Sequence, residues 1–234
     1  SRSSHKESKP TGGGIIFASI SSIFSSLNGF FIPLLSLPLA IVGLIDDKFN
    51  ISSEIRFGIQ ILTCTFLIFK IPLLESLSFT SLVLYIPIII IFGTAIINFF
   101  NFIDGIDGLL ISCITIASCA LTFKNPQILP LSLSLLAFCF FNWPPARIFM
   151  GDSGSLIIGA VISVLAIKLI ETPVEVVPEQ FKLVSTPVLA MTILAYPLLD
   201  TLRVFTIRTA KGKSPLSADR NHLHHLLMKR EINP

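Results

Sequence analysis

Charged residues are scarce in this sequence. They make up 13% of the 234 residues, whereas 52% are hydrophobic; an ordinary soluble domain has about 25% charged residues. Apolar runs of roughly 17–20 residues, the length that crosses a bilayer core, recur along the chain. The composition excludes an ordinary water-soluble domain. It predicts an all-α, polytopic integral membrane protein in which residues 1–234 form a single membrane-embedded domain.

Other features are absent as well. None of the four cysteines forms a C-x-x-C pair, so the sequence predicts neither a disulfide nor a zinc site. The chain has no initiator methionine, and residues 1–9 are polar and basic where a signal peptide needs an apolar core. We therefore expect an N-terminally incomplete sequence that lacks its first helix or helices. No repeat of 20–50 residues is found, which argues against an array fold.

Apolar runs between polar, proline or glycine breaks predict about eight transmembrane helices. They are expected at about 13–27, 30–45, 55–71, 81–97, 108–123, 128–143, 154–170 and 184–201. The first two are separated only by Asn28-Gly29. They are compatible with a tight helical hairpin or with one long broken helix.

The charges distinguish the two sides of the membrane. If the helices alternate, 13 of the 17 Lys and Arg residues fall on one side, which includes residues 1–14 and the basic tail 203–234. The positive-inside rule assigns this side to the cytoplasm. All seven aspartates of the chain fall on the same side. Carboxylates next to apolar helices are costly unless they bind a cation or a substrate, so the sequence predicts a site at this face.

The first candidate segment is the pair Asp46-Asp47 at the end of the second predicted helix. Adjacent carboxylates raise each other's proton affinity, which suits a base or a metal ligand. The alternative is an interfacial stop signal in which Asp47 caps the next helix. Arg56 and Gln60, one turn apart at the start of the third helix, are placed to face the pair. Alternatively, Arg56 snorkels to the membrane surface and Gln60 is a buried glutamine without a role in the site.

The second segment places Asn98, Asn101, Asp104 and Asp107 at intervals of three residues after an apolar helix. Two Asp-Gly steps let the backbone turn tightly and approach a ligand. Asp-Gly is also common in a plain turn between helices. A turn does not require two asparagines at the end of a membrane helix, so this pattern favours a binding site.

The third segment, Gly-Asp-Ser-Gly-Ser from residue 151, opens the seventh helix. Asp152 or Ser153 would serve as a simple N-cap. The same helix start offers free N–H groups to a phosphate, and the Asp152 carboxylate suits Mg²⁺. Phe149 is placed to stack on a base, although an aromatic residue at a membrane interface needs no such role.

The fourth segment is the basic tail, which contains Arg208 and the cluster His222, His224 and His225. Its cations also suit anionic lipid headgroups. Zinc binding is disfavoured because no cysteine can join the histidines, and because His224 and His225 point in different directions on a helix. Contact with phosphate or acid–base chemistry is the better interpretation.

These four segments, in this order and on one membrane side, resemble the polyprenyl-phosphate N-acetylhexosamine-1-phosphate transferases. That family contains the phospho-MurNAc-pentapeptide translocase and the enzymes that initiate O-antigen synthesis. The likeness covers nearly the whole chain. It implies transfer of a sugar-1-phosphate from a UDP-N-acetyl sugar to polyprenyl (undecaprenyl) phosphate, with Mg²⁺ as cofactor, Mn²⁺ as a substitute, and UMP as a product.

The resemblance also implies roles for individual residues. Asp152 would be the leading Mg²⁺ ligand, with Asp107 as a second. The catalytic group would be Asp46, Asp47, Asp104, Asp107, His222, His224 and His225, and the substrate contacts would be Asn98, Asn101, Phe149, Arg208 and Arg56. The expected partners are the two substrates and membrane lipids, not nucleic acid. A homodimer is a further possibility that the sequence leaves open.

The His-x-His-His arrangement is similar to the branch that acts on simple UDP-N-acetyl sugars, and Asp104 and Asp107 favour a bacterial enzyme of the cytoplasmic membrane. The stretch Pro10-Thr11-Gly12-Gly13-Gly14 departs from the family pattern because it lacks an arginine. The alternatives are a transporter with interfacial carboxylates and an inactive truncated relative. The sequence does not distinguish the sugar or the polymer pathway.

Overall fold

The computed structural model describes residues 10–69, 71, 78–104, 108–122, 126–170 and 185–212. Over these residues the chain is helical and contains no β-strand. The α-helices are α1 (Gly13–Leu27), α2 (Ile32–Leu35), α3 (Leu37–Phe49), α4 (Ser53–Ile68), α5 (Phe79–Ile103), α6 (Leu109–Thr122), α7 (Leu129–Asn142), α8 (Gly151–Ile170), α9 (Thr186–Ile193) and α10 (Ala195–Ala210). A 3₁₀-helix, Pro126–Ile128, precedes α7.

The all-α class predicted from the sequence is confirmed over the described part of the chain, and each of the predicted apolar segments overlaps a helix. Within those residues, two helices, α5 and α8, are long and apolar enough to cross a membrane; α1 and the stretch Pro126–Asn142 are apolar but shorter. The number of membrane crossings stays a prediction.

Two of the predicted helices are each divided in the structure. The segment 30–45 is split at Ser36 into α2 and α3. Pro38, at the start of α3, has no N–H to donate to the preceding turn. The segment 184–201 is divided in the same way at Leu194, and Pro197 follows in the first turn of α10. The prediction of one continuous helix is wrong at both places because proline interrupts the helical hydrogen bonds.

The first two predicted helices form a hairpin. α1 ends at Leu27, and the Asn28 side-chain amide donates to Phe24 O at 2.8 Å. Gly29 then adopts a φ of 76°, in the left-handed region that glycine enters without strain. α1 packs against both α2 and α3. Of the two arrangements compatible with the sequence, the structure has the hairpin.

α8 lies at the centre of the bundle, with α5, α3 and α1 packed around it. It is apolar on all sides and is buried over most of its length, as expected for a central helix. Two glycines bring the neighbouring helices against its first turns. A Cβ added at Gly14 would overlap the backbone of Gly154, and one added at Gly43 would overlap the backbone of Asp152 and Ser153. The start of α8 is thereby fixed against α1 and α3.

The outer surface of the bundle is strongly apolar. Large hydrophobic side chains such as Leu27, Phe79 and Ile91 are 77%, 81% and 69% exposed. A water-soluble monomer rarely exposes so much contiguous apolar surface. Together with the two long apolar helices, this surface supports a membrane location.

Candidate active site

Polar side chains gather where several helices start or finish at one end of the bundle. α3 and α5 end there, and α4 and α8 begin there, as the hydrogen bonds among their terminal residues show. These are the helix ends that the sequence assigns to the cytoplasmic side. The structure thus brings together residues that are about 100 positions apart in the chain.

Arg56 joins two of the predicted carboxylates. Its Nη1 donates to Asp46 Oδ2 at 2.7 Å and to Asp152 Oδ2 at 3.1 Å. Asp46 Oδ1 also accepts from the backbone N–H of Ile51 at 2.7 Å. Arg56 therefore faces Asp46 of the aspartate pair, in agreement with one of the sequence alternatives. Because one guanidinium serves two carboxylates, the group keeps a net negative charge.

Asn101 is hydrogen-bonded to the second carboxylate oxygen of Asp152. Its Nδ2 donates to Asp152 Oδ1 at 2.8 Å and to Ser155 Oγ at 3.0 Å. The predicted helix ended at residue 97, but α5 continues to Ile103. Asn101 is therefore in the last turn of a helix and not in the loop after it. Two fixed partners, Asn101 and Arg56, thus orient the Asp152 carboxylate.

Asp47 differs from its neighbour Asp46, because its side chain is exposed while that of Asp46 is buried. Asp47 Oδ1 accepts from the backbone N–H of Asp152 at 3.3 Å, at the start of α8. A Cβ on Gly151, whose φ is 72°, would overlap Asp47 Oδ2. The alternative that Asp47 caps the next helix is wrong, since Ser52 caps α4. Asp47 instead reaches the N-terminus of α8, which favours negative charge.

The suggestion that Asp152 or Ser153 is the N-cap of α8 is also wrong. The helix begins at Gly151, so both residues lie inside its first turn. The Ser153 hydroxyl donates to Met150 O at 3.3 Å. The Asp152 carboxylate instead points toward α4 and α5, where Arg56 and Asn101 donate to it.

Asp104 directly follows α5 and lies close to the other carboxylates. The pKa of Asp104 is raised to about 7, first because the surrounding protein removes water from this half-buried side chain, and then because Asp152 and Asp47 carry negative charge. Crowding of like charges is unfavourable unless a cation relieves it. The electrostatics of this end of the bundle therefore favour a bound cation.

The donor atoms here suit a hard divalent cation. Carboxylate oxygens, like those of Asp46, Asp47 and Asp152, are ligands that Mg²⁺ and Mn²⁺ prefer. Among the residues that the structure describes, no three acidic, histidine or cysteine side chains are grouped as a metal cage. Mg²⁺ commonly binds one or two carboxylates and completes its shell with water and substrate phosphate. The donor set fits a metal that is shared with a substrate.

Gln60 and Asn98 form an amide pair between α4 and α5. Asn98 Nδ2 donates to Gln60 Oε1 at 2.8 Å and to Thr94 O at 2.8 Å, and Gln60 Nε2 donates to Asn98 Oδ1 at 3.4 Å. Gln60 is 1% exposed. The pair lies one turn farther into the bundle than Arg56 and Asn101. Gln60 therefore faces Asn98 and not the aspartates, and the predicted substrate contact of Asn98 remains a prediction.

Phe149 and Arg208 are the other predicted site residues that the structure describes. Phe149 lies in the segment before α8, where its backbone N–H donates to Pro10 O at 3.0 Å. Arg208 is buried near the end of α10, and α10 packs against α5. Four predicted site residues lie outside the described part of the chain: Asp107, His222, His224 and His225.

Sequence reasoning missed Asn142, the last residue of α7. Its Oδ1 accepts from the backbone N–H of Gly108 at 3.0 Å, and its Nδ2 donates to Ile148 O at 3.0 Å. The side chain is buried and links Gly108, directly before α6, to the segment that leads into α8. An asparagine at the end of an otherwise apolar helix is the sequence signal that could have identified it.

Replacing Asn142 with leucine, which is similar in size, should destabilise the protein. The Gly108 N–H and the Ile148 carbonyl would each lose a partner in a buried place, at a cost of about 1–3 kcal/mol. We expect a lower midpoint of thermal unfolding for the purified protein in detergent. Asn28→Leu is the matched control, since the Asn28 side chain is exposed. An equal midpoint for both variants would contradict this role.

Residues 30–170 match the family described as glycosyl transferase family 4. The chain is similar to a Bacillus subtilis protein named "Probable undecaprenyl-phosphate N-acetylglucosaminyl 1-phosphate transferase", with 34% identity over 81% of this chain and 55% of that protein. It thus spans about half the length of that relative.

Two further relatives carry the name "Undecaprenyl-phosphate alpha-N-acetylglucosaminyl 1-phosphate transferase". The Thermotoga maritima protein is 28% identical over 98% of this chain and 72% of its own length. The Escherichia coli K12 protein is 33% identical over 97% of this chain and 67% of its own length. The family match covers more than half of the chain and includes Asp46, Asp47, Asn101 and Asp152. This chain therefore belongs to glycosyl transferase family 4, among the polyprenyl-phosphate N-acetylhexosamine-1-phosphate transferases.

Proposed function

We propose that the protein transfers N-acetylglucosamine-1-phosphate from a UDP-linked donor to a polyprenyl phosphate of the undecaprenyl type, releasing UMP. The names of its relatives support the N-acetylglucosaminyl 1-phosphate group and the undecaprenyl phosphate acceptor. One structural observation carries the proposal. Carboxylates from α3 and α8 converge at one end of the bundle and are held by Arg56 of α4 and Asn101 of α5.

The two neighbouring aspartates have different roles in this proposal. Asp46 is buried and bonded to Arg56 and to the backbone of Ile51, so it positions Arg56 and the start of α4. Asp47 is exposed and is the carboxylate that can orient the lipid phosphate or accept its proton. The nucleophile is already anionic, so the protein mainly has to position it.

The cofactor in the proposal is Mg²⁺, with Asp152 as its leading protein ligand and Asp107 as a second. Mg²⁺ would neutralise negative charge on the diphosphate of the donor. Arg56 and Asn101 hold the Asp152 carboxylate in a fixed orientation before substrate binds. His222, His224, His225 and Arg208 stay proposed contacts of the diphosphate, and Phe149 and Asn98 stay proposed contacts of the nucleotide.

We place the protein in the bacterial cytoplasmic membrane as a multi-pass protein with this site at the cytoplasmic face. The positive-inside distribution of Lys and Arg supports that orientation. A lipid phosphate lies at the membrane interface, and the location of the carboxylates at helix ends supports a site there. Acids at one face are also less typical of a transporter, in which intramembrane acids mark a pathway through the bilayer.

The test is a transfer assay with the purified full-length protein and a panel of UDP-N-acetylhexosamines. We expect UMP release from UDP-GlcNAc only when undecaprenyl phosphate and Mg²⁺ are both present. Chelation by EDTA should abolish the release, and added Mg²⁺ should restore it. No UMP release from any donor would overturn the transferase proposal, and full release in EDTA would overturn the metal assignment.

A further inference from the structure

A row of polar side chains lines the contact between α4 and α5. On each helix the members are about one turn apart, so the row has three layers that extend from the candidate site into the bundle. From the site inward, the layers are Arg56 with Asn101, Gln60 with Asn98, and Cys64 with Thr94. Asp152 bridges the first layer, whereas direct hydrogen bonds join the other two. The contact at the site thus continues a pairing that begins deeper in the bundle.

The two helices of this contact are held to different degrees. α5 lies directly on the central helix α8, because a Cβ added at Gly159 would be 2.6 Å from the Cα of Ile97. α4 is peripheral. Its outer side chains Phe57 and Phe66 are exposed, and it packs mainly against α5. The position of Arg56 next to Asp152 therefore depends on how α4 is held on α5.

Gln60 supplies a directional link between α4 and α5. Its buried amide exchanges two hydrogen bonds with Asn98, at 2.8 and 3.4 Å, and Asn98 also donates to Thr94 O. Hydrogen bonds between membrane helices stabilise a fold only modestly. They are directional, however, and a single buried amide is enough to fix the register of two packed helices. The pair therefore contributes more to alignment than to stability.

We propose that Gln60 is a positioning residue for Asp152, an inference that rests on the proposed function. Gln60 follows Arg56 by one turn of α4, and Asn98 precedes Asn101 by one turn of α5. A slip or rotation of α4 on α5 would lengthen the 3.1 Å bond between Arg56 and Asp152. By fixing the register, Gln60 keeps both oxygens of the Asp152 carboxylate oriented toward a divalent cation.

The first experiment removes the amide from the purified full-length protein. Gln60→Leu should raise the Mg²⁺ concentration that gives half-maximal UMP release about tenfold, since loss of a group that orients a metal ligand typically weakens metal binding about 10- to 100-fold. Gln60→Asn keeps an amide but withdraws it from Asn98 by one methylene group. It should change the Mg²⁺ requirement in the same direction by a smaller factor, and it serves if Gln60→Leu does not fold.

Two control variants separate positioning from stability. Cys64→Ala lies in the next layer of the same helix contact and removes a buried side chain. It should lower the midpoint of thermal unfolding but leave the Mg²⁺ requirement unchanged. Gln127→Leu makes the same exchange as Gln60→Leu at an exposed residue. It should resemble the wild type in both measurements.

The second experiment needs no transfer reaction. Mn²⁺ is titrated into each purified variant in detergent, and the free ion is followed by electron paramagnetic resonance. Gln60→Leu should bind Mn²⁺ about tenfold more weakly than the wild type, whereas Cys64→Ala and Gln127→Leu should bind it as the wild type does.

The outcomes distinguish this inference from the proposed function. Unchanged metal affinity in both Gln60 variants would overturn the positioning role, even with a lower unfolding midpoint. An equal loss of affinity in Cys64→Ala would also contradict it, because the effect would then follow the stability of the whole α4–α5 contact. A wild type that releases no UMP, but whose Mn²⁺ binding depends on Gln60, would overturn only the transferase proposal. A wild type that neither releases UMP nor binds Mn²⁺ would overturn both.

Discussion

Replacing Asp152 with asparagine should lower UMP release by about 100- to 1000-fold, the loss typical of one preorganised electrostatic contact at a reacting phosphate. The asparagine keeps the size of the side chain but removes its charge. It can still accept a hydrogen bond from Arg56, yet it no longer attracts a divalent cation or balances the guanidinium. The fold should therefore persist while the reaction fails.

The measurement is UMP release in membranes supplied with UDP-GlcNAc, Mg²⁺ and undecaprenyl phosphate. Glu54→Gln is the matched control, because Glu54 is an exposed carboxylate in the first turn of α4, two residues before Arg56. It should retain the wild-type rate. If Asp152→Asn also released UMP at the wild-type rate, the metal assignment would be wrong.

Replacing Gly14 with alanine should have the largest effect on stability. The added methyl group would overlap the backbone N and Cα of Gly154, which cannot rotate away as a side chain can. Overpacking against a rigid neighbour costs about 1–3 kcal/mol and sometimes more. Close contact between helix backbones depends on small residues inside membranes. We expect a clearly lower midpoint of thermal unfolding in detergent and less protein in the membrane.

Gly58→Ala provides the comparison for this prediction. Gly58 is also helical, but a Cβ added there would meet no atom within 4 Å. Alanine has a better helix propensity than glycine by about 1 kcal/mol, so this variant should match or exceed the wild-type midpoint. Equal midpoints for Gly14→Ala and Gly58→Ala would show that α1 and α8 are not in backbone contact.

The helices were predictable because their signal is local. Runs of apolar residues set their positions, and most predicted segments match helices to within a few residues. The larger error is at the end of α5, where the predicted helix stops at about residue 97 and leaves Asn98 and Asn101 outside it, whereas α5 continues to Ile103. Polar residues spaced at three positions fit a helix face as well as a turn, and only the contacts with Gln60 and Asp152 settle which is present.

The site was predictable as a set of residues but not as a set of bonds. Sequence alone gave Asp46 and Asp47 the same roles, since they are adjacent and identical. Their difference arises from Arg56 on another helix and from the N-terminus of α8. Asn142 was missed because its partners, Gly108 and Ile148, are backbone groups that leave no pattern in the sequence.

The position of Asp47 changes what the start of α8 can offer to an anion. A free helix N-terminus binds phosphate by exchanging water for the ligand, and both the exposed N–H groups and the dipole favour that exchange. Here the Asp152 N–H already has a carboxylate as its partner. A phosphate would therefore replace one anion with another, and the net gain would be small. We therefore expect the start of α8 to contribute little to the binding of a phosphate.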